Sequence, residues 1–146
     1  MKIRSAQTTD APSIAALCGQ LGYPAGEQTV ARRLERLLGD DRHAVLVAEG
    51  PDGEVAGWVH VCKRLLVLAE PQAAIEGVVV EETCRRQGIG RLLMERAEQW
   101  ARTRGCTAIG LRSNVERQAA HLFYEGIGYR HFKSQRAYLL ELRDEP

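Results

Sequence analysis

The residues best suited to chemistry lie in one short basic segment, residues 85–91, with the sequence RRQGIGR. The segment follows an apolar run, AAIEGVVV, and precedes a helical pattern of apolar residues. The start of a helix offers unpaired backbone amides and partial positive charge, so anions bind there when the chain can approach closely. Gly88 and Gly90 remove side-chain bulk, and the arginines can donate charge-assisted hydrogen bonds to phosphate oxygens. The segment predicts a phosphate-binding turn, and its alternative is a basic surface turn that only caps the next helix.

Two other phosphate-binding patterns can be tested on the same letters. The P-loop pattern G-x-x-x-x-G-K-[ST] is absent from the chain. The dinucleotide fingerprint would need glycine at position 93, where Leu93 stands, and an acidic residue after the next strand, which ends at Asn114. A module that binds ATP or NAD through this turn therefore remains only as a weaker alternative.

The elements that must position the turn follow from hydrophobic periodicity. A short first strand precedes two helices, which end near Leu21 and Gly39. Three strands follow, and the last of them is the apolar run at residues 73–80. A helix to about Gly105, a fifth strand, a helix closed by GIGY and two strands in the tail RHFKSQRAYLLEL complete the order. This order predicts one α/β domain with a mixed sheet over residues 1–146.

Composition limits the classes of protein. The 146 residues are 45% hydrophobic and 27% charged, as in a soluble globular domain. The net charge of +1 gives no global attraction for nucleic acid or an anionic membrane, so we expect neither partner. The four cysteines form no C-x-x-C pair, which predicts buried thiols and no metal site. The N-terminus lacks a signal-peptide pattern, and we expect a cytoplasmic location.

The turn resembles the acyl-CoA loop of the GNAT superfamily of N-acetyltransferases, [QR]-x-x-G-x-[GA]. Residues 85–90, RRQGIG, fit that form at each position. Further along, AAHLFYEGIGY is similar to the family segment A-x-x-h-Y-x-x-h-G-[FY], through Ala120, Tyr124, Gly128 and Tyr129. The two motifs also have the order and separation found in the family.

The resemblance implies a fold and a co-substrate. The fold would be an α/β (α+β) arrangement with about four helices and a mixed, mostly antiparallel central sheet of six to seven strands. This sheet would be splayed between strands 4 and 5. Acetyl-CoA would bind in the gap, and Gly77 would mark the bend or bulge that opens it. The implied coenzyme-binding residues are Val78, Val80, Arg85, Arg86, Gln87, Gly88, Ile89, Gly90, Arg91, Asn114, Ala120 and Tyr124.

Two side chains are candidates for catalysis under this resemblance. Tyr124 would donate a proton or hydrogen bond to the departing thiolate, and its alternative is a core tyrosine. Glu76, which we expect to be partly buried, would accept a proton from the amine, directly or through water. Its alternative is a charge paired with an arginine. Trp58, His60 and Cys62 alternate onto one strand face, where they would line an acceptor pocket or simply pack against a helix.

The function implied is transfer of acetyl from acetyl-CoA to a primary amine, by direct attack in a ternary complex and without a metal. A small-molecule amine is the expected acceptor, because the chain shows no further peptide-docking module. A protein or peptide N-acetyltransferase and a non-catalytic acyl-CoA-binding regulatory domain are the alternatives. A homodimer is an expectation at the level of the family alone.

Overall fold

The computed structural model describes residues 1–113 and 117–143. The chain divides into two compact units, residues 1–112 and residues 113–146. The first unit contains one five-stranded sheet in the order β1-β2-β3-β4-β5. Its strands are β1 (Lys2–Ser5), β2 (His43–Glu49), β3 (Val55–Arg64), β4 (Gln72–Val80) and β5 (Ile109–Leu111). The first three pairings are antiparallel and the β4–β5 pairing is parallel. The mixed, mostly antiparallel sheet is thus confirmed.

Three helices of the first unit cover the two faces of this sheet. They are α1 (Ala11–Leu21), α2 (Glu27–Leu38) and α3 (Ile89–Thr103). Pro12 stands in the first turn of α1, where its missing amide hydrogen costs nothing, and Gly22 ends the helix in the left-handed conformation at φ 98°. These bounds agree closely with the helices predicted from periodicity.

The core has two layers because adjacent β3 residues point to opposite faces of the sheet. On one face, the Trp58 side chain packs with Val47, Val79 and the apolar sides of α1 and α2. On the other face, a Cβ added at Gly57 would lie 3.2 Å from the Cδ1 atom of Leu93 on α3. Leu93 is completely buried. The sheet is therefore covered on both faces, as its apolar central strands predict.

The second unit contains one further helix, α4 (Gln118–Gly126), so the described residues hold about four helices, as expected. The two strands predicted in the tail were wrong: no strand occurs in the described residues 127–143. The part of the chain that is described therefore has five strands in its sheet, instead of the predicted six to seven. A strand needs a partner as well as an apolar pattern, and the large apolar side chains of the tail are exposed. They are Phe132, Tyr138, Leu139, Leu140 and Leu142.

Candidate active site

The edge of β4 opens at a β-bulge. β5 pairs with β4 only from Ala73 to Ile75, and no described strand pairs with residues 76–80 on that edge. On the other edge, His60 of β3 faces Gly77 while the next residue, Val61, faces Ile75, so Glu76 is the extra residue of a bulge. The bulge predicted at Gly77 is confirmed. It lies where the two parallel strands stop pairing.

The bulge also decides which backbone groups face the opening. The amide of Ala73 donates to the Ala108 carbonyl on the β5 side, whereas the amide of Glu81 donates to the Ala56 carbonyl on β3. Backbone groups alternate sides along a strand, and the extra residue at Glu76 shifts this alternation by one. Val78 and Val80 therefore direct their amides and carbonyls toward the open edge. This is the arrangement that an extended, amide-bearing ligand needs to add as a strand.

The turn after β4 has an unusual backbone. Arg86 has a φ of 68° and Gly88 has a φ of 81°, both in the left-handed region. Alternation of left- and right-handed residues turns successive amides toward one side and makes a concave anion site. A Cβ at Gly88 would meet no atom within 4 Å, so the space over this turn is open. Arg85 lies against the strand instead, where its Nε donates to the Val80 carbonyl at 3.2 Å.

The start of α3 offers its amides to solvent. No side chain of the described residues caps this end, and the first amide bonded within the helix is that of Leu92, which donates to the Gly88 carbonyl at 3.1 Å. Ile89 is buried and anchors the first turn in the core, while Gly90 adds no side chain there. Arg91 is exposed and forms an ion pair with Glu95 at 3.1 Å on the same helix. The amides and the left-handed turn together fit a diphosphate.

Gln20, at the end of α1, holds the segment between β4 and the turn. Its side-chain amide donates to Oε1 of Glu81 at 2.9 Å, and its carbonyl oxygen accepts from the Glu82 amide at 3.0 Å. Glu81 also accepts from the amide and hydroxyl of Thr83. Sequence reasoning missed Gln20, because its partners lie more than 60 residues away and no local pattern marks the contact.

The carboxylate of Glu76 lies on the face of the sheet that carries Cys62, whose thiol donates to its Oε1 atom at 3.8 Å. The side chain is exposed, so the expected partial burial was wrong. The bulge is the reason, since its extra residue stands outside the ladder and has no position in the core. Beside it, a Cβ at Gly77 would lie 2.9 Å from Cη2 of Trp58, so the indole occupies the space that a side chain would need. The buried Trp58 Nε1 has no hydrogen-bond partner among the described residues.

In the second unit, Ala120 and Tyr124 lie one helical turn apart on α4. The Tyr124 ring is half-buried and packs edge-on against Phe123, at 5.3 Å between ring centroids, and Tyr129, at 6.4 Å. Burial raises the pKa of the Tyr124 phenol, and the positive charge of Arg117 partly opposes this. The phenol is therefore a protonated hydrogen-bond donor at neutral pH. The predicted Asn114 contact lies outside the described residues.

Residues 1–113 and 117–143 contain neither a metal-binding cluster nor a membrane-spanning helix. Within them, no cluster of three or more histidine, cysteine or acidic residues could hold a metal ion. Within the same ranges, no helix combines the length and apolar composition needed to cross a bilayer.

Comparison with known proteins identifies this arrangement. The model of the acetyltransferase (GNAT) family matches residues 10–129. The aminoglycoside N(6′)-acetyltransferase type 1 of Klebsiella aerogenes is 34% identical over 130 residues, covering 82% of this chain and 85% of that protein. The aminoalkylphosphonate N-acetyltransferase of Salmonella typhimurium is 32% identical over 144 residues, covering 93% and 90%.

Solved structures show the same fold. The aminoglycoside 6′-N-acetyltransferase AAC(6′)-IG of Acinetobacter haemolyticus superimposes with a TM-score of 0.83 at 20% identity, covering 98% of this chain and all of that one. A second enzyme, AAC(6′)-Iy, was solved with the bisubstrate analogue CoA-S-monomethyl-acetylneamine. It superimposes with a TM-score of 0.84 at 19% identity, covering 96% and 97%.

Proposed function

Because the chain belongs to the acetyltransferase (GNAT) family and is an acetyl-CoA-dependent N-acetyltransferase, we propose that it acetylates a primary amine of an aminoglycoside or a related amino sugar. In this proposal, residues 1–146 act as one catalytic domain. The observation that carries the proposal is the open edge of β4, which leads directly into the glycine turn and the uncapped start of α3.

The residues present suit acetyl-CoA, which supplies an activated thioester when bound. The backbone amides from Gln87 to Arg91 would bind its diphosphate, since they lie at the uncapped start of α3 beside a left-handed turn. Arg85 and Arg86 would add positive charge at the rim. Val78 and Val80 would pair with the amides of the pantetheine arm along the open edge. Ala120 and Asn114 complete the proposed set, on the evidence of the sequence motif alone.

Acetyl transfer then needs a proton acceptor and a proton donor. Glu76 is exposed at the end of the open edge, and its carboxylate would take a proton from the acceptor ammonium, directly or through water. Tyr124 would protonate or hydrogen-bond the thiolate, because burial raises the pKa of its phenol and keeps it a donor at neutral pH. A backbone amide near Val78 would stabilise the oxyanion of the tetrahedral intermediate. The thiol and the amide product account for two of the three ammonium protons, and Glu76 receives the third.

The names of the relatives support the proposed acceptor class. The Klebsiella aerogenes protein carries the name aminoglycoside N(6′)-acetyltransferase type 1. A Stenotrophomonas maltophilia protein that is 30% identical to this chain over 131 residues carries the same name. The aminoalkylphosphonate N-acetyltransferase from Salmonella typhimurium covers more of the chain and supports a second candidate acceptor, a small aminoalkylphosphonate. Both are primary amines of small polar molecules.

A thiol-release assay tests the acceptor class. Acetyl-CoA is incubated with the protein and one of four amines: an aminoglycoside with a 6′-amino group, its analogue with a 6′-hydroxyl, an aminoalkylphosphonate and a lysine-containing peptide. We expect the highest kcat/KM with the 6′-amino compound and a large loss with the 6′-hydroxyl analogue. Higher activity with the peptide would assign the chain to protein acetylation. Coenzyme binding without thiol release from any amine would favour the regulatory alternative.

Matched variants test the two catalytic assignments. Tyr124→Phe and Glu76→Gln should each lower kcat by about 10²-fold or more, while the Kd for CoA stays close to that of the wild type. Tyr138→Phe and Glu35→Gln make the same chemical changes at exposed positions and should leave kcat unchanged. A variant at Tyr124 or Glu76 with wild-type kcat would remove that residue from the mechanism.

A further inference from the structure

Two histidines of the sheet are hydrogen-bonded to each other. His43 begins β2 and His60 lies in the middle of β3, with Nδ1 of His43 and Nε2 of His60 separated by 3.0 Å. The rings are tilted by 35° and their centroids are 5.2 Å apart. One of the two nitrogens must carry the proton and the other must accept it. A proton can therefore pass from one ring to the other along an existing hydrogen bond.

The pair lies on the same face as Glu76. His60 and Cys62 alternate onto one face of β3, and the Cys62 thiol donates to Glu76 across the strand pair. In the register, His60 stands opposite Gly77, the neighbour of Glu76 in the bulge. The side chains of Glu76, His60 and His43 thus lie in sequence across the neighbouring strands β4, β3 and β2.

The electrostatic surroundings keep His60 neutral. Burial is the largest effect and lowers the pKa of His60, the positive charge of His43 lowers it further, and the Glu76 carboxylate raises it. A neutral imidazole has a lone pair free for a proton. Because Nε2 of His60 is engaged with His43, Nδ1 is the atom that remains to accept one.

Of the two helices packed on this face, α1 has no charged side chain, whereas α2 carries Glu27, Arg32, Arg33, Glu35 and Arg36. Cys18 is the only titratable side chain of α1, and burial raises the pKa of its thiol, so it stays neutral at pH 7. Arg33 of α2 acts on Cys18. Burial likewise raises the pKa of Cys62, on the same strand as His60. Among the described residues, the charges acting on His60 are those of His43 and Glu76.

We propose that His60 and His43 form a proton relay that carries the third ammonium proton from Glu76 to solvent during acetyl transfer, an inference that rests on the proposed function. The amine nitrogen forms a bond to the acetyl carbon as the carbon–sulfur bond breaks. Of the three ammonium protons, one stays on the amide, one ends on the thiol through Tyr124, and one goes to Glu76. His60 takes that proton on Nδ1 and passes its Nε2 proton to Nδ1 of His43, which releases its own Nε2 proton to water. Exchange with water then restores both tautomers.

The relay is tested with His60→Gln and His43→Gln, which keep a hydrogen-bonding side chain but cannot relay a proton. The control is His131→Gln, which removes an exposed histidine hydrogen-bonded to Ser134 at 3.0 Å. Thiol release is measured from pH 5.5 to 9 in H₂O and D₂O, with the amine that the wild type prefers. We expect each relay variant to lose about tenfold or more in kcat, at the low end of proton-transfer effects. The KM for acetyl-CoA should not change, the solvent isotope effect should increase, and added imidazole should restore part of kcat.

The outcomes separate this inference from the proposed function. If the wild type releases no thiol with any amine, the proposed function fails and the relay fails with it. If the wild type is active and both relay variants keep its kcat, pH profile and isotope effect, the relay alone is wrong. A loss of kcat without imidazole rescue and with an unchanged isotope effect would also refute the relay, since a purely structural role gives that result. If His60→Gln does not fold, His43→Gln at the start of β2 carries the same test.

Discussion

Replacement of Gly77 by alanine should destabilise the protein because the Trp58 indole occupies the space that the new methyl group needs. The added Cβ would lie 2.9 Å from Cη2 and 3.1 Å from Cζ3 of the ring. The ring would have to retreat by at least about 0.6 Å to reach the ~3.5 Å optimum for carbon atoms. Trp58 is only 8% exposed, so this movement disturbs a packed core.

The magnitude follows from two opposing effects. Overpacking a core costs about 1–3 kcal/mol, and the lower chain entropy of alanine in the unfolded state returns about 0.4–1 kcal/mol. The midpoints of the two ranges differ by about 1.3 kcal/mol. We therefore expect the free energy of unfolding to fall by about that amount, measured by urea denaturation with circular dichroism. Gly19→Ala, inside α1 with no atom within 4 Å of the new Cβ, should instead raise it by about 0.5–1 kcal/mol.

A double-mutant cycle isolates the contact. Phenylalanine at position 58 lacks the outer ring atoms of the indole that meet the new methyl group. Gly77→Ala should therefore cost about 1 kcal/mol less in the Trp58→Phe background than in the wild type. Equal costs in the two backgrounds would show that the indole is not the cause, and the packing explanation of Gly77 would be wrong.

Two further predictions concern stability. Asp10→Asn should lower the free energy of unfolding by about 1.5–3 kcal/mol at pH 7, because Asp10 is only 7% exposed and accepts two hydrogen bonds from Arg4 and one from the Gln7 amide. Hydrogen bonding to Arg4 lowers the pKa of Asp10 below its ordinary 3.8. The stability difference between the wild type and Asp10→Asn is therefore full above pH 3.8 and shrinks below it. Urea midpoints of the two proteins that differ equally at pH 7 and pH 3 would contradict this. Leu93→Ala, at a fully buried position, should lower the free energy of unfolding by about 2–5 kcal/mol. The neighbouring Leu92→Ala, at 40% exposure, should lower it by only about 0.5 kcal/mol. Similar losses for both variants in thermal and urea unfolding would refute the assignment of Leu93 to the core.

Local patterns predicted those parts of the molecule in which the signal is itself local. The glycine turn, the helix that follows it and the bulge beside Gly77 all depend on backbone preferences of a few adjacent residues. The exposure of Glu76 was not predicted, because a pattern of alternating residues does not show which one a bulge will leave outside the ladder.

The remaining differences depend on partners that are distant along the chain. The tail has the apolar pattern of strands, but a pattern does not supply an edge with which to pair, and its described residues form none. The hydrogen bond between His43 and His60 depends on the register of β2 against β3, which no single segment encodes. The same is true of Gln20, which is joined to residues 81 and 82 only by the fold.

The extra residue at position 76 makes the bulge a stricter requirement than side-chain identity in this part of β4. If the same residues paired with β3 without the bulge, the register after residue 75 would shift by one position and each following peptide group would point to the opposite edge of the strand. The peptide groups at 79 and 81, which now bond to β3, would then turn outward, and those at 78 and 80 would turn inward. A chain that lost the bulge could fold with an intact sheet and still present the wrong row of amides to its ligand.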